Sequence, residues 1–267
     1  MGIITLTTDF GTEDWFVGTM KGVIASISPK ATVIDITHAI ESGDIRAGAF
    51  ALAASYKYFP KGTVHVVIVD PGVGSKRRAV AVQTERYFYV GPDNGVLSFA
   101  LRDEKIKAVR ALVNTAYFVE SVSQTFHGRD VFAPVAAHLA RGVPIARFGP
   151  AVMNIVRLDW PEPKVHAKSI KGEVIYIDKF GNAITNISAA SLCGKHIEIF
   201  KGRKQLCSLA THYQAVPAGR AVAVPGSSGY LEIAVNGGNA SAILRLDLGD
   251  RVDIIDHGAA DRPRSND

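Results

Sequence analysis

Val64-His65-Val66-Val67-Ile68-Val69-Asp70-Pro71-Gly72-Val73-Gly74-Ser75 is the stretch that decides the fold. Val66-Val67-Ile68-Val69 is a short apolar run, the pattern of a strand buried on both faces. It ends on a carboxylate, and a glycine-rich turn follows. Gly72 and Gly74 let the backbone approach another group closely. Arg77 opens the next apolar run, seven positions after Asp70.

The same grammar runs outward in both directions. Strands are expected at Ile3–Thr8, Thr32–Ile36, Val64–Val69, Ala79–Gln83, Tyr87–Val90 and Val109–Leu112. Helices are expected at Asp14–Ile27, Asp44–Tyr58 and Asp130–Leu139. In the first helix, Phe16, Met20, Val23, Ile24 and Ile27 recur at three-to-four spacing, which gives one apolar face. Ser28-Pro29 stops it. Alternation of this kind predicts a Rossmann-like α/β domain with a mostly parallel sheet, over residues 1–160. Pro161 and Pro163 mark a linker over 161–167. Closely spaced strand patterns then run at Lys171–Ile177, Ala183–Ile187, His196–Phe200, Lys204–Ala210, Ala221–Val224, Tyr230–Ala234, Ala242–Leu246 and Arg251–Ile255. They predict a small antiparallel β-barrel domain over 168–257. The polar tail 258–267 carries Pro263 and is expected to be disordered.

Composition narrows the function. The chain has 267 residues, 47% hydrophobic and 21% charged, enough for a substantial core. The net charge of +5 (30 basic, 25 acidic) is spread out and does not argue for nucleic acid. Cys193 and Cys207 make no disulfide framework and lack metal spacing, so both read as free thiols. No apolar run reaches the roughly 20 residues that cross a membrane, and no cleavable leader precedes Ile3. A cytoplasmic protein with no metal is expected. There is no G-x-G-x-x-G after the first strand, no P-loop, no H-E-x-x-H and no G-x-S-x-G. Nicotinamide, ATP-hydrolysis and serine-hydrolase chemistry lose their support.

Several polar residues fall at predicted strand ends, where open α/β sheets bind ligands. Asp9 follows the first strand; it either accepts a pair of hydroxyls, as a ribose diol offers, or caps the turn before Gly11. Asp14 reads first as a helix N-cap. Asp70 is either a site carboxylate or a turn acceptor, Arg77 either a site cation or a surface ion-pair partner. His127, in Thr125-Phe126-His127-Gly128-Arg129-Asp130, is a catalyst or a satisfied buried imidazole. Brought together, the three would polarise one small nucleophile such as water. Gly91-Pro92-Asp93-Asn94-Gly95 reads as a tight turn. Asp178-Lys179-Phe180-Gly181-Asn182 is either a β-turn or a set suited to an amino-acid head group and a flat base. Ser227-Ser228-Gly229 and Val235-Asn236-Gly237-Gly238-Asn239 bracket a strand.

In that order, and with Ile34-Asp35-Ile36-Thr37-His38, these segments resemble a known family. It is the S-adenosyl-L-methionine (SAM) hydroxide adenosyltransferases, adenosine-forming SAM hydrolases related to the fluorinating and chlorinating adenosyl enzymes. The resemblance spans Ile3 to Ile255. It implies hydrolysis of SAM to adenosine and L-methionine, SAM being substrate rather than cofactor. It also implies a homotrimer whose site lies between the N-terminal domain of one subunit and the C-terminal domain of the next. Asp70, Arg77 and His127 match the family's water-activating triad. Asp9 would hold the ribose, and Asp14, Asp178 and Ser227 the methionine portion. Phe180, Asn182 and the backbone at Val235 would hold the adenine side, with Phe126 a further substrate contact. The halogenating relatives carry serine where Gly128 stands and an extra N-terminal loop that is not seen here, which favours water over halide. Gly226 stands where many members carry asparagine. The alternatives are a SAM-dependent halogenase and a SAM or adenosine sensor without turnover.

Overall fold

Every residue of the strand Val64–Ile68 is buried, because helices cover both faces of its sheet. The computed structural model describes residues 2–192 and 196–257. It divides into two units, Met1–Asp159 and Trp160–Asp267. The first unit contains β1 (Ile3–Thr8), β2 (Thr32–Thr37), β3 (Val64–Ile68), β4 (Ala79–Thr84), β5 (Phe88–Pro92) and β6 (Ile106–Ala111), in the sheet order β2-β1-β3-β5-β4-β6. β1 pairs in parallel with β2 and β3, and β3 with β5. β4 runs antiparallel to both β5 and β6, so the sheet is mixed with a parallel half.

The two-residue period of β3 divides its side chains between two cores. Val64, Val66 and Ile68 pack with Met20 and Ile24 of α1 (Phe16–Ile27), and with Phe132 and residues of α4 (Ala133–Ala140). Val67 and, just past the strand, Val69 pack instead with Leu52 of α2 (Ile45–Ser55) and Leu101 of α3 (Ser98–Leu101). A largely apolar run satisfies both layers, with His65 the polar exception. Asp14 does not cap α1. The position before the helix is Trp15, with no side-chain cap bond. Asp44 does cap α2, accepting from the Ala47 N–H at 2.9 Å.

The second unit is an antiparallel sheet of eight strands. β7 (Lys164–Val165) pairs with β8 (Ser169–Ile177), so part of the proline-marked stretch 161–167 is a strand. The others are β9 (Ala183–Ser188), β10 (Ile197–Lys201), β11 (Lys204–Ser208), β12 (Ala221–Pro225), β13 (Tyr230–Val235) and β14 (Arg251–Asp256), in the order β11-β10-β14-β8-β9-β13-β12. The Ala210 N–H donates to the Ala223 carbonyl at 2.8 Å, which brings the two ends of this order together and nearly closes a barrel. One strand expectation fails. Ala242–Leu246 is not a strand, because the Asn239 side chain accepts from the Ala242 N–H and starts α5 (Ala240–Leu244), which ends at left-handed Arg245. Cys207 is buried, which pushes its thiol up to about 12. Cys193 and the tail 258–267 lie outside the described residues. No helix among the described residues is long and apolar enough to cross a membrane.

His65 in β3 is fully buried among Tyr56, Phe59, Tyr87 and Tyr89, and its Nδ1 is hydrogen-bonded to the Thr5 hydroxyl at 2.8 Å. Burial lowers its pKa from 6.5 to about 4. The fold therefore favours the neutral ring. That stability is complete above pH 6.5 and is lost as pH falls towards 4, by on the order of 3 kcal/mol. Urea unfolding at pH 7.5 and 4.5 should show this loss, with a flatter slope for His65→Gln.

Candidate active site

β1 and β3 are neighbours, with Thr8 opposite Ile68, so Asp9 and Asp70 follow the carboxyl ends of adjacent strands. The order β2-β1-β3 makes this the point where successive crossovers leave in opposite directions, and a crevice opens there. A cavity of about 440 Å³ occupies it. Asp9, Asp70, Phe126 and His127 line the cavity, together with Phe10, Phe16 and Gly43, which the sequence reading had not singled out as site residues.

Asp9 accepts the Gly43 N–H at 2.9 Å on Oδ2. Burial, and secondarily the nearby Asp70 charge, raise its pKa against the pull of backbone donors. Asp70 is held differently. Arg77 Nε donates to its Oδ1 at 3.0 Å and its Oδ2 at 2.9 Å, and Nη2 donates to Oδ2 as well. The same Nη2 lies 2.8 Å from His127 Nδ1. Arg77 thus joins the other two in a chain, with its guanidinium over the Phe132 ring, 5.4 Å from the centroid. The surface-charge reading of Arg77 is excluded, since its side chain is 11% exposed.

Residues far apart in sequence make this convergence possible. Gly74 adopts φ +76°, and a Cβ there would sit 2.3 Å from the Gln124 carbonyl oxygen. The turn after β3 therefore lies directly on the segment that carries His127. Asn94 Nδ2 donates to the Val69 carbonyl at 2.8 Å, so the turn at 91–95 also braces the Asp70 position. Gly128–Phe132 forms a π-helical turn ahead of α4, so helical structure begins before the expected Asp130. Fully buried Asp130 pins it by accepting from Arg129 Nε and from the Ser123 N–H. Phe10, Phe16 and Phe126 pack on one another with ring centroids 5.0 to 5.9 Å apart.

A guanidinium only donates, so His127 Nδ1 must accept and the ring's proton sits on Nε2. Burial and the Arg77 charge lower the His127 pKa, with Asp70, Asp130 and the Ser123 carbonyl opposing. The ring is neutral at pH 7 and is a hydrogen-bond donor through Nε2.

In the second unit a cavity of about 890 Å³ is lined by Asp178, Phe180, Asn182, Ser227 and Val235, all named from sequence, and also by Tyr213, Glu232 and Asn239. Gly181, at φ +83°, lies so close to Asn239 that a Cβ would be 2.2 Å from its side chain. This contact draws the turn at 178–182 to the loop after β13. The β-turn reading of Asp178 holds. Its Oδ1 accepts from the N–H groups of Phe180 and Asn182 at 2.9 Å each, and its Oδ2 from Asn182 Nδ2 at 3.1 Å. Phe180 is 65% exposed, with Lys179 Nζ 4.9 Å from its ring centroid. Asp14 is exposed and lines neither cavity. Glu232 had one sequence signal, an acid inside the apolar run Leu231–Val235. No group of three or more metal-ligating side chains occurs among the described residues.

Nitrogen-15 NMR of the imidazole should show His127 as the Nε2–H tautomer at pH 7, protonating below the ordinary histidine range. Arg77→Met removes a charge that opposes protonation and leaves Asp70 beside the ring, so the His127 pKa should rise.

Two family models match this chain, the SAM hydroxide adenosyltransferase N-terminal domain over residues 4–149 and its C-terminal domain over 172–253. A relative from Salinispora arenicola, (R)-S-adenosyl-L-methionine hydrolase, is 41% identical over 94% of this chain and 97% of its own. A fluorinase from an Actinoplanes species is 30% identical over 71% of this chain and 73% of its own. The crystal structure of an uncharacterized conserved protein from Thermotoga maritima superposes with a TM-score of 0.89 at 37% identity, covering 96% of this chain and all of that one. Models of both domains match and a relative is 41% identical over 94% of this chain, so the chain belongs to the SAM hydroxide adenosyltransferase family.

Proposed function

We propose that this protein is a hydrolase that converts SAM and water to adenosine and L-methionine, releasing one proton. The observation that carries the reading is the hydrogen-bonded chain Asp70–Arg77–His127, which presents Asp70 and His127 to a cavity also lined by Asp9. Membership of the family and the relatives named as SAM hydrolases support it.

The leaving group is a sulfonium that departs as a neutral thioether, so no acid is needed at sulfur. The barrier lies in the nucleophile, which must be oriented and stripped of competing water. In this reading the His127 Nε2–H donates to the attacking oxygen and stabilises its hydroxide character, while the proton that the water gives up passes to solvent as the carbon–oxygen bond forms and the carbon–sulfur bond breaks. Arg77 fixes the tautomer that makes this possible, and Asp70 fixes Arg77. Asp9 accepts the ribose hydroxyls. Phe126 borders the reacting carbon with Phe10. Phe180 and Asn182 take the adenine side, with the backbone at Val235, while Asp14, Asp178 and Ser227 lie towards the methionine portion.

Water is favoured over halide by a steric observation. A Cβ at Gly128 would meet the Phe126 ring at 2.9 Å, the Phe10 ring at 3.2 Å and Met20 Sδ at 3.3 Å. The serine of the halogenating relatives has no room here unless the rings move. Each unit contains a cavity with part of the required residue set, which supports a site completed by a second subunit of the homotrimer that the resemblance implies.

Incubation with each sulfonium epimer of SAM, followed by chromatography, should yield adenosine and methionine without added metal. A halide-dependent 5′-halo product, or tight binding with no product over hours, would replace this reading with the halogenase or the sensor. Asp70→Asn, Arg77→Met and His127→Ala should each lower kcat by about 10²- to 10⁴-fold with KM changed far less. Activity of the native enzyme should decline as pH falls through the depressed His127 pKa, because a protonated Nδ1 repels Arg77.

A further inference from the structure

The side chain and the carbonyl of one residue grip the turn that carries Asp9. His38 directly follows β2 and does not line the first cavity. Its side chain is only 4% exposed. His38 Nδ1 is hydrogen-bonded to the Thr8 hydroxyl at 2.8 Å. That hydroxyl oxygen also accepts the Phe10 N–H at 3.2 Å, and the His38 carbonyl accepts the Gly11 N–H at 2.8 Å. Asp9 and Phe10, which both line the cavity, thus lie between two attachments to His38. A third hold, the Gly43 N–H on Asp9 Oδ2, comes from the same segment after β2.

Regular strand pairing would not make this grip. Leu6 of β1 stands opposite Asp35 of β2, but Thr7 stands opposite Thr37, so the register shifts by one residue at Ile36. A shift of this kind re-aims the side chains beyond it. Without it Thr8 would come level with Thr37, whose hydroxyl already accepts the Ala39 N–H at 3.1 Å. With it His38 comes level with Thr8. The other edge of the ring faces a carboxylate. Nε2 is 3.2 Å from Asp35 Oδ1, and Lys21 Nζ of α1 donates to Asp35 Oδ2 at 2.6 Å. An ionised carboxylate only accepts, so it favours the proton on Nε2 and leaves Nδ1 to accept the Thr8 hydroxyl. The donors then run one way, from the Phe10 amide through Thr8 and His38 to Asp35.

We propose that His38, acting through Thr8, is a positioning residue that fixes Asp9 for the ribose hydroxyls of the substrate. This rests on the SAM reading and deepens it. The turn after Asp9 passes through Gly11 at φ +68°, and glycine by itself imposes little restraint on the backbone. The placement of the ribose decides where its 5′ carbon lies against the attacking oxygen. Loosening this turn therefore costs alignment as well as binding.

Thr8→Val and His38→Leu should each lower kcat/KM for SAM about 10- to 100-fold, whereas Thr8→Ser, which keeps the hydroxyl, should stay within about threefold of native. In an Asp9→Ala background Thr8→Val should cost about twofold at most, because the group it positions is gone. A role confined to general stability would give additive losses instead. Calorimetry of native protein should show adenosine bound about 10-fold or more tighter than 2′,3′-dideoxyadenosine, which lacks only the two hydroxyls. Thr8→Val should lose most of that preference. A folded Thr8→Val with native kcat/KM or native nucleoside preference, or losses that add to that of Asp9→Ala, would overturn the assignment. So would native protein that binds the two nucleosides alike or binds neither, a comparison that holds even if the variants fail to fold. Absence of adenosine formation from SAM counts against the hydrolase reading alone, because the calorimetry needs no turnover.

Discussion

Arg77 holds the catalytic end of the first unit together. Its Nε and Nη2 grip Asp70, and Nη2 also reaches His127, so one planar group sets the distance between the end of β3 and the π-helical turn before α4. Lysine would not do this, since an ammonium is a point charge with no fixed fork. The pair is mostly shielded from solvent, with the Asp70 side chain 5% exposed, and its two charges balance locally. Burial and the Arg77 charge keep His127 neutral against the opposing pull of Asp70, and the Arg77 contact holds its proton on a defined nitrogen.

Two carboxylates at the ends of β1 and β3 are treated unequally. Asp70 is neutralised by a guanidinium, whereas Asp9 has only backbone donors and a raised pKa. Of two such acids, the one without a cation has its charged form disfavoured by burial and by its neighbour's charge.

The aromatic wall adds a constraint of shape. Phe10, Phe16 and Phe126 close on one another over Gly128, and the fit leaves no space for a Cβ. The wall is set by close packing rather than by charge, and close-packed interiors resist even small added volumes.

Local sequence determined most of the framework. The apolar run Val66–Val69 specified a doubly buried strand, the proline and glycine stops placed α1 and α2, and ordered motifs named Asp9, Asp70, Arg77 and His127. It misplaced the start of α1 because Asp14 has the residue type of a cap without its position. It misread Ala242–Leu246 because a five-residue helix has too few turns to show a period. Tertiary structure alone decided the rest. Whether Arg77 faces solvent or Asp70, and which imidazole nitrogen carries the proton, depend on contacts between residues tens of positions apart. Such contacts follow from packing in three dimensions, and spacing along the chain does not encode them.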